Sequence, residues 1–363
     1  MKKCGIMTFN QAINYGAVFQ MLALQKTIER LGVECEIINY QSDFMNNLYR
    51  KRTLTDWFNL KTLYHTLFSN SYIRYNLTGF EDFICKNIKM SSKTYSAFEL
   101  KDANDIYDIF ISGSDQVFNV YCSNYDYNYM LGFVDDDSKK FSYAASLGLN
   151  SIPNELRQKY IEILSGFQKI SIREKTGAIV LNELLGVNCQ VNLDPTLLLS
   201  KNEWSSFSVS KENGKPYILV YVLSEDKALF DFARNLAKMN NCDLYYINDR
   251  LFEPFGMKRK RNVDPDEWLS LFENAMAIVT NSFHGVAFSI IFSKRFFPFL
   301  LNKNTRVNSR ISDLLSLTSL DDLLFYHSDV KMLDDYIFDY HTAHNVINYE
   351  KKKSVEYLRS IFE

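Results

Sequence analysis

Short apolar runs alternate with helix-period segments along almost the whole chain. CGIMTF (residues 4–9) predicts a strand. YGAVFQMLALQKTIERLG (15–32) predicts an amphipathic helix: Val18, Leu22, Leu24 and Ile28 fill its apolar positions, and Gly32 follows as a stop signal. CEIINY (35–40) is the next strand. Residues 41–100 are aromatic and mostly helical in character, which suits an excursion from a sheet. YDIFISGSDQ (107–116) is a strong strand with a polar end; KKFSYAASLG (139–148), FQKISIREK (167–175) and the shorter CQVNLDPTLLL (189–199) follow.

A polar stretch with Gly214 and Pro216 (211–216) marks a boundary, after which the rhythm restarts. YILVYVL, a helix around 225–240, CDLYYIND, a helix around 265–275, AMAIVTNS, a helix from about 284, RFFPFLL and a helix near 306–316 come in order. Strands separated by helices imply parallel sheets with right-handed crossovers. The expected fold class is therefore α/β, with two doubly wound Rossmann-like domains facing across a cleft. The expected domains are 1–210 and 215–325, with a helical tail over 326–363 (SVEYLRSIF within it) folding back on the first. No repeat of 20–50 residues is visible.

Composition narrows the class. With 363 residues the chain exceeds one typical domain, and its 47% apolar and 23% charged residues are those of a globular protein. The formal net charge of −2 gives no global reason to expect a nucleic acid or an anionic membrane as partner. No stretch approaches 18 uninterrupted apolar residues, and MKKCGIMTFN lacks the apolar core of a signal peptide, so a cytoplasmic location is expected. The six cysteines (Cys4, Cys35, Cys85, Cys122, Cys189, Cys242) are scattered and read as reduced thiols. His65, His327, His341 and His344 have no partners at ligand spacing, so no metal site is expected. There is no GxGxxG, GxxxxGK[ST] or GxSxG.

In open α/β sheets, ligands sit beyond the carboxyl ends of the strands. Three polar clusters fall there: SGSDQ with Ser114, Asp115 and Gln116; REK with Arg173; and TNSFHG with Asn281, Ser282, His284 and Gly285. Asn281 or Ser282 would cap the helix that follows, whose positive end suits a phosphate or carboxylate. A histidine there can donate to an anion or shuttle a proton, and Gly285 would let backbone approach a ligand. The Arg173 fork suits a carboxylate or phosphate, with an ion pair to Glu174 or another acid as the alternative. Asp115 would orient a sugar hydroxyl or accept its proton. Asn14 and Tyr15 sit in the first strand-to-helix loop and line a cleft or simply pack. The loop NKNTRVNSR brings Lys303, Arg306 and Arg310, which would close over an anion or lie solvated.

Taken in order, GIMTFNQAINYGAVFQMLALQKTIERLG, YDIFISGSDQVFN, KKFSYAASLG, KISIREKTG, NLDPTLLL and IVTNSFHGVAFSIIFSK resemble the polysaccharide pyruvyl transferase family, from the start to about residue 320. The resemblance implies a fold like that of the GT-B glycosyltransferases. It implies transfer of the pyruvyl unit of phosphoenolpyruvate to a hydroxyl pair of a sugar, forming a cyclic ketal, in exopolysaccharide or capsule biosynthesis. No cofactor is implied, since phosphoenolpyruvate is itself the donor substrate. The acceptor would be a free or lipid-linked sugar, the latter giving peripheral membrane association. By this resemblance His284 and Arg173 are the motif-matched site residues, and a basic residue among Lys303, Arg306 and Arg310 helps hold the donor. The donor side would be Arg173, Ser282, His284, Gly285 and that basic residue; the acceptor side would be Asn14, Tyr15, Ser114, Asp115 and Gln116. A nucleotide-sugar glycosyltransferase on the same architecture and a non-catalytic glycan-binding protein are the competing expectations.

Overall fold

The computed structural model describes residues 2–49, 78–209, 214–248, 256–301, 308–328 and 330–363. The chain divides into two compact units. The described residues within 1–49, 84–199 and 345–363 form the first, and those within 78–83 and 200–344 form the second.

In the first unit, β1 (Lys3–Met7), β2 (Glu34–Tyr40), β3 (Met90–Tyr95), β4 (Ile109–Ser112) and β5 (Lys140–Ser142) form one sheet in the order β3-β2-β1-β4-β5. Every pairing is parallel, with Cys4 opposite Cys35 and Ile6 opposite Ile111. A strand covered on both faces needs apolar residues at consecutive positions, and Cys4, Ile6, Met7, Ile109, Phe110 and Ile111 are all buried. The helix Tyr15–Arg30 returns the chain from β1 to β2. Asn14 caps it by accepting from Ala17 N at 3.3 Å, and Gly32, at φ +79°, turns the chain out of it. The expected helical excursion over 41–100 needs correction. Helices at Asp43–Tyr49 and Thr78–Asn87 are present, but β3 closes the sheet edge from the polar sequence MSSKTY; residues 50–77 lie outside the described residues. The runs around 167–175 and 189–199 shrink to β6 (Ser171–Ile172) and β7 (Gln190–Val191), a separate parallel pair. Single bridges Phe141↔Lys169 and Ala145↔Ile172 attach it to the β5 side.

In the second unit, β8 (Tyr217–Tyr221), β9 (Asp243–Ile247), β10 (Lys258–Lys260), β11 (Ala277–Thr280) and β12 (Arg295–Pro298) form a parallel sheet ordered β10-β9-β8-β11-β12. Counted within its own unit, this is the same 3-2-1-4-5 winding as the first sheet. Each sheet thus reverses direction between its first and fourth strands, β1/β4 and β8/β11. One face is covered by the helix Lys227–Met239 through Leu229, Phe232, Ala233 and Leu236. On the other, Trp268 stacks on Phe272 (centroids 3.8 Å), and Trp204 and Trp268 meet Phe288 edge-on at 4.9 and 5.0 Å. Burying side chains of this size contributes roughly 1.5–3 kcal/mol each, which fixes the helix Phe283–Ile291 that carries Phe288.

Candidate functional site

The switch point of a doubly wound sheet opens a crevice at the strand carboxyl ends, where adjacent loops diverge. In the second unit that crevice lies between β8 and β11. Thr280 ends β11 and accepts from Ser282 N at 3.1 Å while donating to Tyr221 O at 2.6 Å. Ser282 is the cap of helix Phe283–Ile291, its hydroxyl accepting from Gly285 N at 3.4 Å. Asn281 does not cap. Its Oδ1 accepts from Leu223 N and its Nδ2 donates to Ser224 O, both at 2.8 Å, so it ties the loop after β8 to the end of β11. His284, half-buried, follows on the first helical turn with its ring edge-on to Phe283 at 5.2 Å. First-turn N–H groups have no intrahelical partner, and the dipole there favours an anion.

Gly285 has a packing reason. A Cβ there would lie 2.2 Å from Thr280 Oγ1 and 2.9 Å from Thr280 Cβ, so only glycine lets the helix seat on the strand end. Beneath it Val286, Phe288, Ile290, Ile291 and Phe292 are buried. Arg310 is buried in the helix Asn308–Leu317, while Lys303 and Arg306 lie outside the described residues.

The first unit builds its cluster at the β1/β4 switch point. Ser114 is fully buried; its carbonyl accepts from Thr8 Oγ1 at 3.0 Å. Asp115 adopts a left-handed φ of 77°, uncommon for a side chain-bearing residue, and its Oδ1 accepts from Gln116 N at 2.8 Å. Its carbonyl accepts from Ser146 N at 2.8 Å. Arg173 lies under this turn. Its Nη1 donates to Asp194 Oδ2 at 2.7 Å, and the same Oδ2 accepts from Ser114 Oγ at 3.4 Å. The guanidinium is almost wholly enclosed, with 2% of the side chain exposed, and the acid it pairs with is Asp194. Burial works against the guanidinium charge, but Asp194, Glu174 and Asp115 outweigh it and leave the pKa above its ordinary value. Asp194 Oδ1 accepts from Thr196 N and Oγ1, which caps the short turn Pro195–Leu198.

Two acids hold this arrangement, Asp194, which sequence reasoning passed over, and Glu174, which it considered only as a partner for Arg173. Asp194 was legible as an acid directly before a proline, the signature of a capped turn. For the role that Glu174 plays here the sequence carried no such signal. Its Oε1 accepts from Ser146 Oγ, Leu147 N and Gly148 N at 3.1, 2.8 and 3.0 Å, so it clamps the loop after β5. That loop supports the acceptor candidates, since a Cβ on Gly148 would lie 2.4 Å from Gln116 Oε1. Asn14 is exposed and caps its helix; Tyr15 is buried and stacks on Phe19. Ser114, Asp115, Gln116 and Arg173 thus gather in the first unit, and Ser282, His284 and Gly285 in the second.

All six cysteines are free. Among the described residues, no helix is long and apolar enough to cross a membrane, and no group of three or more His, Cys, Asp or Glu could hold a metal ion.

A family model described as polysaccharide pyruvyl transferase matches residues 14–304. No curated protein matches the chain. Among solved structures, a glycosyltransferase from Rickettsia africae superposes with a TM-score of 0.50 at 12% identity, over 99% of this chain and 98% of that one. UDP-GlcNAc 2-epimerase from Methanocaldococcus jannaschii, solved in complex with UDP-GlcNAc and UDP, gives 0.51 at 12% identity, over 96% and 99%. At these identities the likeness is one of fold: the chain has the α/β architecture expected from its strand–helix rhythm, of the GT-B type that the family resemblance implies.

Proposed function

The chain belongs to the polysaccharide pyruvyl transferase family and is a transferase; from that premise we propose that it moves the pyruvyl unit of phosphoenolpyruvate onto two hydroxyls of one sugar in a polysaccharide or its precursor. The observation that carries the reading is His284, half-buried on the first turn of a helix whose positive end faces the carboxyl edge of its sheet. Phosphoenolpyruvate brings a phosphate and a carboxylate, the groups such a helix end receives.

The chemistry balances without a redox partner. A proton adds to the methylene carbon of phosphoenolpyruvate and C2 becomes electrophilic. One sugar hydroxyl adds to C2 and loses its proton; the C2–O bond to phosphate then breaks. The second hydroxyl adds in its place, its proton leaving with phosphate, and the ketal closes. We assign the proton transfers to His284, and phosphate binding to the helix N-terminus at Ser282–Gly285 together with a basic residue among Lys303, Arg306 and Arg310. Asp115 would orient the acceptor hydroxyl, and Gln116, Ser114, Asn14 and Tyr15 are the other residues we assign to the acceptor side. Arg173, enclosed with Asp194 beneath Ser114 and Asp115, serves in this scheme as a positioning residue for the acceptor turn.

Calorimetry of the whole chain against phosphoenolpyruvate and a panel of sugar nucleotides tests the donor. Phosphoenolpyruvate binding, weakened in His284→Gln, is the expected result. Binding of a sugar nucleotide in its place would assign the chain to nucleotide-sugar transfer, and binding of glycan alone would leave it a non-catalytic module.

A further inference from the structure

The loop that follows Gln116 carries an aromatic pair. Tyr121 and Tyr125 are 45% and 47% exposed, and their rings meet edge-to-face with centroids 5.7 Å apart at 76°. Asn124 and Tyr125 both lie in the left-handed region, at φ 53° and 63°. For a residue with a Cβ this conformation costs about 1–2 kcal/mol, and strain of this kind collects at ligand-binding positions. The turn is closed by Tyr125 N donating to Val120 O at 2.7 Å, and anchored by Asp126, whose Oδ2 accepts from Tyr40 OH at 2.6 Å. It is continuous with the acceptor candidates. Asn119 Oδ1 accepts from Tyr121 N at 3.2 Å, and Asn119 Nδ2 donates to Gln116 Oε1 at 3.3 Å.

Neutral amides line the same carboxyl edge. Gln11 Nε2 donates to Gln41 Oε1 at 2.9 Å and to Asn46 Oδ1, and Gln11 Oε1 accepts from Ser42 N at 2.8 Å. Asn10 Oδ1, in the loop three residues past β1, is buried with no hydrogen-bond partner among the described residues. A buried acceptor without a donor is costly unless a ligand supplies one. Amides present donor and acceptor side by side, which matches neighbouring sugar hydroxyls. A pyranose has a polar rim and apolar C–H faces, and tyrosine offers the same duality of apolar body and polar tip.

We propose that Tyr121 and Tyr125 form a platform that stacks on a second sugar of the acceptor, next to the one that is modified. This rests on the sugar-acceptor reading above. The test is calorimetry without donor, using galactose, glucose, mannose and N-acetylglucosamine, each as the free sugar and as a linear tetrasaccharide. The expected result is at least one tetrasaccharide bound about tenfold or more tightly than its monosaccharide, a gap equal to about 1.4 kcal/mol. Tyr121→Ala with Tyr125→Gly should erase that gap. Glycine is at home at the φ of position 125, so this variant keeps or raises the melting temperature. The proposal is overturned if no tetrasaccharide exceeds its monosaccharide or if the double variant keeps the gap. Phosphate release from phosphoenolpyruvate is assayed separately. Platform binding without phosphate release sinks the pyruvyl-transfer reading alone. Turnover with equal KM for monosaccharide and tetrasaccharide sinks the platform alone.

Discussion

Arg173 and Asp194, 21 residues apart, meet through a 2.7 Å hydrogen bond in a setting that leaves 2% and 0% of their side chains exposed. A buried pair of this kind is costly to break, because the surviving charge has nowhere to go. Arg173→Ala or Asp194→Asn is expected to lower stability by about 3–5 kcal/mol, read from urea unfolding. Arg173→Met with Asp194→Asn should recover much of that loss, since no unpaired charge is left buried and the amide oxygen at 194 still accepts from Thr196. If Arg173 positions Ser114 and Asp115, the repaired variant stays at least tenfold down in kcat/KM. Full recovery of turnover would show the pair to be structural only.

Glu36 sets a pH dependence. Burial raises its carboxyl, but hydrogen bonds from Lys3, Tyr107 and Lys89 and the charge of Lys3 outweigh it and leave the pKa below the ordinary value. The sign follows from linkage: the folded state prefers the ionised form, so this stability is complete above the unfolded carboxylate range and fades as pH falls through the depressed folded pKa. Glu36→Gln should flatten the acid limb of a melting temperature profile. A limb of unchanged slope would place the acid sensitivity elsewhere.

Gly285→Ala forces a Cβ to within 2.2 Å of Thr280 Oγ1. Overpacking of this order costs about 1–3 kcal/mol, and the displaced helix end should carry His284 with it. Melting temperature and phosphoenolpyruvate affinity are expected to drop together; a loss of neither would mean that the strand end yields freely.

His284 is only half-buried, so the cost of His284→Ala in melting temperature should be modest. Turnover, read as phosphate release, is expected to fall by about 10²–10⁴. His284→Gln should retain part of the donor affinity while losing turnover. Near wild-type rates in either variant would reduce His284 to a packing residue.

Most of the long elements were legible because their periodicity is local. The helix Tyr15–Arg30 and the segment from Ala277 to Ile291 have continuous apolar patterns, and each expected element is present there. The losses were strands whose residues are chosen by a neighbour rather than by burial. β3 is polar and lies at a sheet edge, and β10 is the three-residue run Lys258–Lys260. At the candidate site, chain position located the polar clusters but not their partners. Arg173 reads equally well as an exposed fork until Asp194 is brought under it, and Asn281 reads as a cap until Leu223 and Ser224 are seen against its amide. The shared 3-2-1-4-5 winding of the two sheets leaves no sequence repeat, because winding order is a property of pairing and not of residue identity.

The amide of Asn281 joins the ends of two neighbouring strands, and this has a mechanical consequence. The loop at Leu223–Ser224 and the turn bearing His284 cannot open separately without breaking both of its hydrogen bonds. They form one cooperative unit of local unfolding. In amide hydrogen exchange, Leu223 and the residues around Ser282 should therefore exchange with a common opening free energy, and Asn281→Ala should split it into two.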